Sequence, residues 1–200
     1  MTFTTADGVT ITGDLASPTD GPPSRAAIVC HPHPQYGGDR FNSVVEACWR
    51  GLADVGVGAL RFDFRAIFGG GVAERQDAVA ALDVLAARWP DAALAVVGYS
   101  FGAMVALGLG DPRVAASVLI APPLTVMPLD VTPVAPMLVL VPAHDQFTRP
   151  ADAMPVVEAW RADGSEVGVE AVEMADHFLT GRVAHVAERT VTWLTGLPDV

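Results

Sequence analysis

Short apolar runs alternate along the chain with segments whose apolar residues recur at helical spacing. The apolar runs predict strands at residues 2–5, 9–16, 26–30, 57–64, 94–97, 115–121, 137–141 and 167–172. The periodic segments predict helices around residues 44–55, 79–89, 103–109, 154–160 and 183–194. This order predicts an α/β fold with a largely parallel sheet, helices on both of its faces, and an amino-terminal hairpin that turns at Asp7-Gly8.

The pentapeptide Gly98-Tyr99-Ser100-Phe101-Gly102 lies between a predicted strand and the apolar helix that follows it. A strand-to-helix turn of this kind exposes the serine hydroxyl, which can then act as a nucleophile. The chain is crowded there, and glycine two positions before and after the serine avoids a collision with the neighbouring strand or helix. Since a serine between glycines can also simply cap a buried helix, the assignment depends on partner residues.

Candidate partners for Ser100 follow it in the order acid, then histidine. Asp145 and His177 each come shortly after a predicted strand, and catalytic groups collect at the carboxyl ends of parallel strands. An imidazole is needed to take the proton of a serine hydroxyl, and a carboxylate is needed to orient the imidazole. The sequence therefore predicts the catalytic residues Ser100, Asp145 and His177. Two other carboxylates stay open as alternative acids, Asp130 and Asp152.

The segment 31–42, with the sequence H-P-H-P-Q-Y-G-G-D-R-F-N, directly follows the strand at residues 26–30. A loop at this place supplies one of the two backbone N–H groups of an oxyanion hole, and we expect Phe101 to supply the other. Because proline has no N–H, the candidates for the second donor are His33, Gln35 and Tyr36. We favour Tyr36, since two glycines follow it. No third ligand has suitable spacing to His31 and His33, so no metal site is predicted.

These landmarks resemble those of small α/β-hydrolases related to dienelactone hydrolase, in particular a bacterial group with an H-P-H-P-x-x-G-G loop. The resemblance covers most of the chain. It is carried by the loop 31–38 with Asn42, the strand end 61–65, the pentapeptide 98–102, Asp145 after a strand, and the tripeptide 176–178. It implies the α/β-hydrolase fold and a nucleophile, acid and base at Ser100, Asp145 and His177.

The chain departs from this group directly after Arg65. The group resembles R-G-x-G-x-S-x-G there, whereas this sequence reads R-A-I-F-G-G-G over residues 65–71. The altered loop is more apolar and lies beside the predicted site, so the resemblance does not define the substrate. Dienelactone hydrolase itself uses a cysteine nucleophile, which weakens any inference of its specific reaction.

The segment between the strands at residues 115–121 and 137–141 contains five prolines and is too short for a lid domain. We therefore expect little or no lid and an active site open to solvent. Four apolar side chains are predicted to line the substrate pocket: Phe68, Met127, Phe147 and Phe178. Other apolar residues flank the predicted site: Tyr36, Ile67, Phe101, Leu124, Val126 and Leu129.

Composition agrees with a single domain over residues 1–200, because 51% hydrophobic content can form a sizeable core. The net charge of −11 disfavours nucleic acid or an anionic membrane as a partner. The amino terminus lacks a basic region followed by an apolar stretch, so we expect a cytoplasmic protein. Cys30 and Cys48 fall at apolar positions, which favours buried thiols over a disulfide.

The sequence thus predicts a cofactor-independent serine hydrolase that cleaves small soluble esters or lactones through an acyl-enzyme on Ser100. Two alternatives use the same three residues: an aminoacyl or dipeptidyl peptidase, and a carbon–carbon bond hydrolase. A third alternative is a binding protein that keeps the fold without turnover. The expected partner in the main hypothesis is a small-molecule ester or lactone.

Overall fold

The structure is a computed structural model that describes residues 1–133 and 135–198, and its described strands form one eight-stranded sheet. The strand order is β1-β2-β4-β3-β5-β6-β7-β8; β1 and β2 run antiparallel to their neighbours, and the other strands are parallel. The strands are β1 (Thr2–Thr4), β2 (Thr10–Ala16), β3 (Arg25–Cys30), β4 (Gly58–Phe62), β5 (Ala93–Tyr99), β6 (Val114–Ile120), β7 (Met137–Pro142) and β8 (Val167–Val172).

Five α-helices cover the two faces of the sheet within the described part of the chain. They are α1 (Ser43–Asp54), α2 (Val72–Arg88), α3 (Phe101–Leu107), α4 (Pro150–Ala162) and α5 (Val183–Gly196). Helices α1 and α5 pack on one face, and α2, α3 and α4 pack on the other. The expected α/β fold with a mostly parallel sheet between two helical layers is therefore confirmed.

The central strand β3 explains why the inner strands are continuous apolar runs rather than alternating patterns. Ala26, Ile28 and Cys30 belong to the core beneath α2 and α3, whereas Ala27 and Val29 belong to the core beneath α1 and α5. A strand that is buried on both faces has no solvent-facing positions, so it carries few polar residues.

The carboxyl ends of the parallel strands bring distant parts of the sequence to one edge of the sheet. The segment 31–42 follows β3, Ser100 follows β5, Asp145 follows β7, and His177 follows β8. The described residues between β6 and β7 form neither helix nor strand, so this part of the chain contains no lid domain. None of the described helices has the length and apolar character needed to cross a membrane.

Candidate active site

Ser100 occupies a strained turn between β5 and α3. Its φ of 55° lies in the left-handed region, which is uncommon for a residue with a side chain. A Cβ at Gly98 would lie 2.3 Å from the carbonyl oxygen of Gly102, and one at Gly102 would lie 2.3 Å from that of Cys30 in β3. The two glycines are therefore required by backbone contacts on both sides of the turn, as the sequence suggested.

A chain of two hydrogen bonds joins Ser100, His177 and Asp145. Ser100 Oγ lies 2.9 Å from His177 Nε2, and His177 Nδ1 lies 2.8 Å from Asp145 Oδ2. A carboxylate only accepts hydrogen bonds, so Nδ1 carries the ring proton and Nε2 is left to accept from the serine hydroxyl. The three residues that the sequence singled out are thus brought together with the imidazole in the orientation that a general base requires.

Asp145 is buried and held by its own loop. Its Oδ1 accepts hydrogen bonds from the backbone N–H groups of Phe147 at 2.7 Å and Thr148 at 3.2 Å, which leaves Oδ2 for His177. Hydrogen bonds to both oxygens fix the plane of the carboxylate and compensate its burial.

The alternative acids lie elsewhere. Asp152 pairs with Arg149 at 3.0 Å on α4, and Asp130 is exposed on the segment between β6 and β7. The neighbouring Asp176 accepts a hydrogen bond from the N–H of Phe178 at 3.1 Å, so its carboxylate is bound to its own turn.

His31 is a structural residue of the loop that follows β3. It is buried, its Nδ1 donates to the carbonyl oxygen of Pro32 at 2.6 Å, and its Nε2 accepts from the N–H of Phe64 at 2.9 Å. Burial lowers the pKa of His31, and both ring nitrogens already have partners. The loop then folds back on itself so closely that a Cβ at Gly38 would lie 2.1 Å from the same Pro32 oxygen. Within the described residues, no group of three or more potential ligands could hold a metal ion.

The expectation that Tyr36 supplies an oxyanion-hole N–H is wrong, because a short 3₁₀ helix over Pro34–Tyr36 uses that group. The N–H of Tyr36 donates to the carbonyl oxygen of His33 at 3.0 Å, and the N–H of Gln35 donates to His33 Nδ1 at 3.2 Å. Among the described residues, the N–H groups of His33 and Phe101 have no acceptor in the protein. His33 is therefore the remaining candidate for the second donor beside Phe101.

The His33 imidazole is packed among three aromatic rings. Its ring centroid lies 4.9 Å from that of Tyr36, 4.5 Å from that of Phe68 and 4.8 Å from that of Phe101. Burial lowers the pKa of His33, and its Nδ1 accepts a hydrogen bond from the loop, so the neutral ring stabilises the conformation that presents its own N–H.

A cavity of about 490 Å³ opens beside Ser100 and His177. Its wall is mainly apolar. The apolar and aromatic side chains that line it include Pro32, Tyr36, Tyr99, Phe101, Pro123, Val126, Met127, Phe147 and Phe178. No lysine or arginine is among the described residues that line this cavity. Three of the four residues predicted for the pocket therefore border it.

The fourth, Phe68, lies outside the cavity wall. Its ring packs behind His33 and, with 5.7 Å between centroids, beside Phe101. Leu124 is buried in the core beneath α2 and α3, and Ile67 is 85% exposed and does not line the cavity. The altered loop after Arg65 therefore supports the cavity from behind rather than forming its surface.

Two buried carboxylates at the start of α2 were not expected from the sequence. Glu74 accepts hydrogen bonds from the N–H groups of Gly69 and Gly71 at 2.6 and 2.7 Å, and Asp77 pairs with Arg65 at 2.8 Å. They tie the altered loop to the first turns of α2. Glu74 three residues after the Gly71 N-cap was the available signal, since a glutamate at this position often bonds the backbone of the cap.

The chain matches no family model. It is 33% identical over 184 residues to the uncharacterized protein RP471 of Rickettsia prowazekii, covering 84% of this chain and 77% of that one.

Two solved structures align over almost the whole chain. The first is the Agrobacterium tumefaciens protein ATU1826, described as a protein of unknown function and a candidate α/β hydrolase. It has 27% identity, a TM-score of 0.88, and coverage of 98% of this chain and 94% of that one. The second is XC6422 of Xanthomonas campestris, described as an α/β serine hydrolase without a lid. It has 25% identity, a TM-score of 0.86, and coverage of 99% and 95%. The chain therefore has the α/β-hydrolase fold and belongs to the family of the Rickettsia protein RP471.

Proposed function

We propose that this protein is a serine hydrolase that cleaves small carboxylic esters or lactones through an acyl-enzyme on Ser100. The observation that carries the proposal is the hydrogen-bonded chain from Ser100 Oγ through His177 to the buried Asp145. A serine hydroxyl becomes an effective nucleophile when an oriented imidazole removes its proton during attack.

In the first half of the reaction, Ser100 Oγ attacks the ester carbonyl carbon and its proton passes to His177 Nε2. The carbonyl oxygen becomes an oxyanion, to which the free N–H groups of Phe101 and His33 can donate. Each such donor typically stabilises the transition state by ~2.7–4 kcal/mol. The tetrahedral intermediate then collapses, the bond to the alcohol oxygen breaks, and the proton on Nε2 passes to the leaving alcohol.

In the second half, a water molecule takes the place of the alcohol and gives a proton to His177 Nε2 as its oxygen attacks the acyl carbon. Collapse of the second intermediate breaks the bond to Ser100 Oγ, which recovers its proton and releases the carboxylic acid. Asp145 remains a carboxylate throughout and stabilises the imidazolium that forms in each half.

Esters and lactones are favoured over larger substrates because the cavity is small, apolar and open. Its volume of about 490 Å³ and its mainly apolar wall suit a small uncharged substrate. The similarity to a lidless α/β serine hydrolase of Xanthomonas supports a hydrolase, and the H-P-H-P-x-x-G-G loop supports a place near the relatives of dienelactone hydrolase. The aminoacyl or dipeptidyl peptidase, the carbon–carbon hydrolase and the non-catalytic binding protein are the other outcomes of the test.

The test is a substrate panel measured with the wild-type protein and with Ser100→Ala. The panel contains p-nitrophenyl esters of increasing acyl length, simple lactones, aminoacyl p-nitroanilides and a vinylogous 1,5-diketone as a carbon–carbon substrate. We expect turnover of esters or lactones that depends on Ser100 and little turnover of the anilides and the diketone. Faster cleavage of anilides or of the diketone would assign one of the alternative reactions, and no turnover of any substrate would favour the binding protein.

A further inference from the structure

The main chain of His177 is held on both sides by side chains that the proposed reaction does not use. The buried hydroxyl of Tyr99 donates to the His177 carbonyl oxygen at 2.9 Å, and Gln146 Oε1 accepts from the His177 N–H at 3.2 Å. Tyr99 directly precedes Ser100, and Gln146 directly follows Asp145. One sequence neighbour of Ser100 and one of Asp145 therefore each bind a main-chain group of the histidine.

This clamp compensates for the weak local structure around His177. The residue lies between β8 and α5, on a segment that forms neither helix nor strand, so no regular backbone hydrogen bonds fix its Cα position. The hydrogen bonds to Ser100 and Asp145 orient the imidazole ring, but they do not determine where the backbone places it. A base displaced by about 1 Å can lose ~100-fold in rate, so the backbone position matters.

The environment of Tyr99 suits a permanent donor. Its side chain is buried, and burial raises the pKa of its hydroxyl to about 12, so the group stays protonated at neutral pH. Its ring also stacks on the His177 imidazole, with 6.0 Å between centroids and 29° between planes. Gln146, in contrast, is exposed, and water can replace its oxygen when it is removed.

We propose that Tyr99 is a positioning residue that fixes the catalytic base through the carbonyl oxygen of His177, with Gln146 as a weaker second anchor. The proposal rests on the proposed serine hydrolase function. Two consecutive residues of the Gly98–Gly102 turn thus have different roles: Ser100 presents the nucleophile, and Tyr99, the last residue of β5, fixes the backbone of the residue that activates it.

The test compares Tyr99→Phe, Gln146→Met and the double variant with the wild-type protein. Tyr99→Phe keeps the ring and its stacking and removes only the hydroxyl. We expect kcat for p-nitrophenyl acetate to fall ~10–100-fold in Tyr99→Phe and a few-fold in Gln146→Met, with KM changed by less than about twofold. Because both side chains anchor one residue, the combined loss in the double variant should differ from the product of the single losses.

The matched control is Thr190→Val on α5. It removes another buried hydroxyl that donates to a backbone carbonyl, that of Val186 at 2.8 Å, at a residue that does not line the cavity. We expect its stability to fall about as much as that of Tyr99→Phe, while its kcat stays within about twofold of wild type. A purely structural role of Tyr99 would make the two variants alike in kcat as well, which would overturn the proposal.

A second readout does not depend on turnover. The Nδ1 proton that His177 shares with Asp145 should give a downfield ¹H NMR resonance, and displacement of the His177 backbone should shift or broaden it in Tyr99→Phe but not in Thr190→Val. An unchanged resonance in Tyr99→Phe would contradict the proposal. If the wild-type protein turned over no ester, the proposed function would fail, and this resonance alone would decide the inference. If Tyr99→Phe does not fold, Gln146→Met decides it by the same two readouts.

Discussion

Ser100 combines a strained backbone conformation with a side chain that borders the cavity. A positive φ at a residue with a side chain costs of order 1–3 kcal/mol, and Ser100 adopts it in a turn whose glycines, Gly98 and Gly102, are in close contact with neighbouring backbone. In the proposed mechanism this strain holds Oγ at the cavity, where it meets the imidazole of His177 and an approaching carbonyl group.

The assignment of His177 as base and Asp145 as acid predicts a large loss of activity for each of two single substitutions. His177→Ala removes the proton acceptor, and Asp145→Asn leaves an imidazole with the wrong tautomer facing Ser100. We expect both to lower kcat/KM for p-nitrophenyl acetate by at least about a thousandfold. Asp152→Asn is the control, since its carboxylate pairs with Arg149 on α4, and it should keep nearly full activity. Loss of activity in Asp152→Asn but not in Asp145→Asn would reverse the assignment of the acid.

The oxyanion-hole assignment predicts a difference between two substitutions of His33. The backbone of His33 has φ −58° and ψ 122°, which proline can adopt, so His33→Pro removes the N–H without demanding a new conformation there. His33→Ala removes the same imidazole and keeps the N–H. We expect kcat in His33→Pro to be ~10²–10³-fold lower than in His33→Ala. Equal kcat values in the two variants would exclude the His33 N–H as a donor.

The sequence was a better guide to the side chains of the site than to the backbone N–H groups of the oxyanion hole. Ser100, Asp145 and His177 could be chosen because each follows a strand and their order along the chain is specific. Tyr36 was chosen because glycines follow it, but the 3₁₀ helix that consumes its N–H depends on where the His33 carbonyl points. Hydrogen bonds of this kind are set by local dihedral angles, which residue types alone do not determine.

At the scale of elements, the strands were predictable because those buried on both faces are continuous apolar runs. Helix α2 was only partly predictable: it begins at Val72, whereas the apolar pattern indicated a start near Val79. Its first turns bury Glu74 and Asp77, which hydropathy assigns to solvent. Their burial depends on Arg65 and on backbone N–H groups of the preceding loop, and these tertiary partners cannot be inferred from the spacing of apolar residues.

The proline-containing segment between β6 and β7 contributes Val126 and Met127 to the cavity wall. Removing most of the Met127 side chain should enlarge the acyl site, so we expect Met127→Ala to move the optimum of a p-nitrophenyl ester series toward longer acyl chains. Each additional methylene that the enlarged site buries should stabilise the transition state by at most ~0.8 kcal/mol. Ile67→Ala is the control, because Ile67 is apolar and near the site but does not line the cavity. The same change of profile in both variants would contradict this wall assignment.

The net charge of the molecule and the residues that line its cavity both disfavour an anionic substrate. The chain carries a net charge of −11, and none of the described residues that line the cavity is a lysine or arginine. We therefore expect an anionic substrate to be repelled at long range. The expectations of one domain over residues 1–200 and of a cytoplasmic location stay predictions.

Ethyl butyrate and monoethyl succinate test the discrimination against anionic substrates. The two esters are nearly equal in size, and only monoethyl succinate carries a carboxylate. We expect kcat/KM for monoethyl succinate to be at least ~10-fold lower at low ionic strength, and the difference to narrow as salt screens the repulsion. The value for ethyl butyrate should change little with salt, which serves as the internal control. A preference for monoethyl succinate would show that a cation reaches the bound substrate.

The central claim is that Ser100 is an activated nucleophile, and intact-mass spectrometry after treatment with a fluorophosphonate measures this most directly. Fluorophosphonates react with activated serines and leave a stable phosphonyl group on Oγ. We expect one added group on the wild-type protein, none on folded Ser100→Ala, and greatly slowed labelling of His177→Ala. Labelling of folded Ser100→Ala at the wild-type rate would show that Ser100 is not the nucleophile.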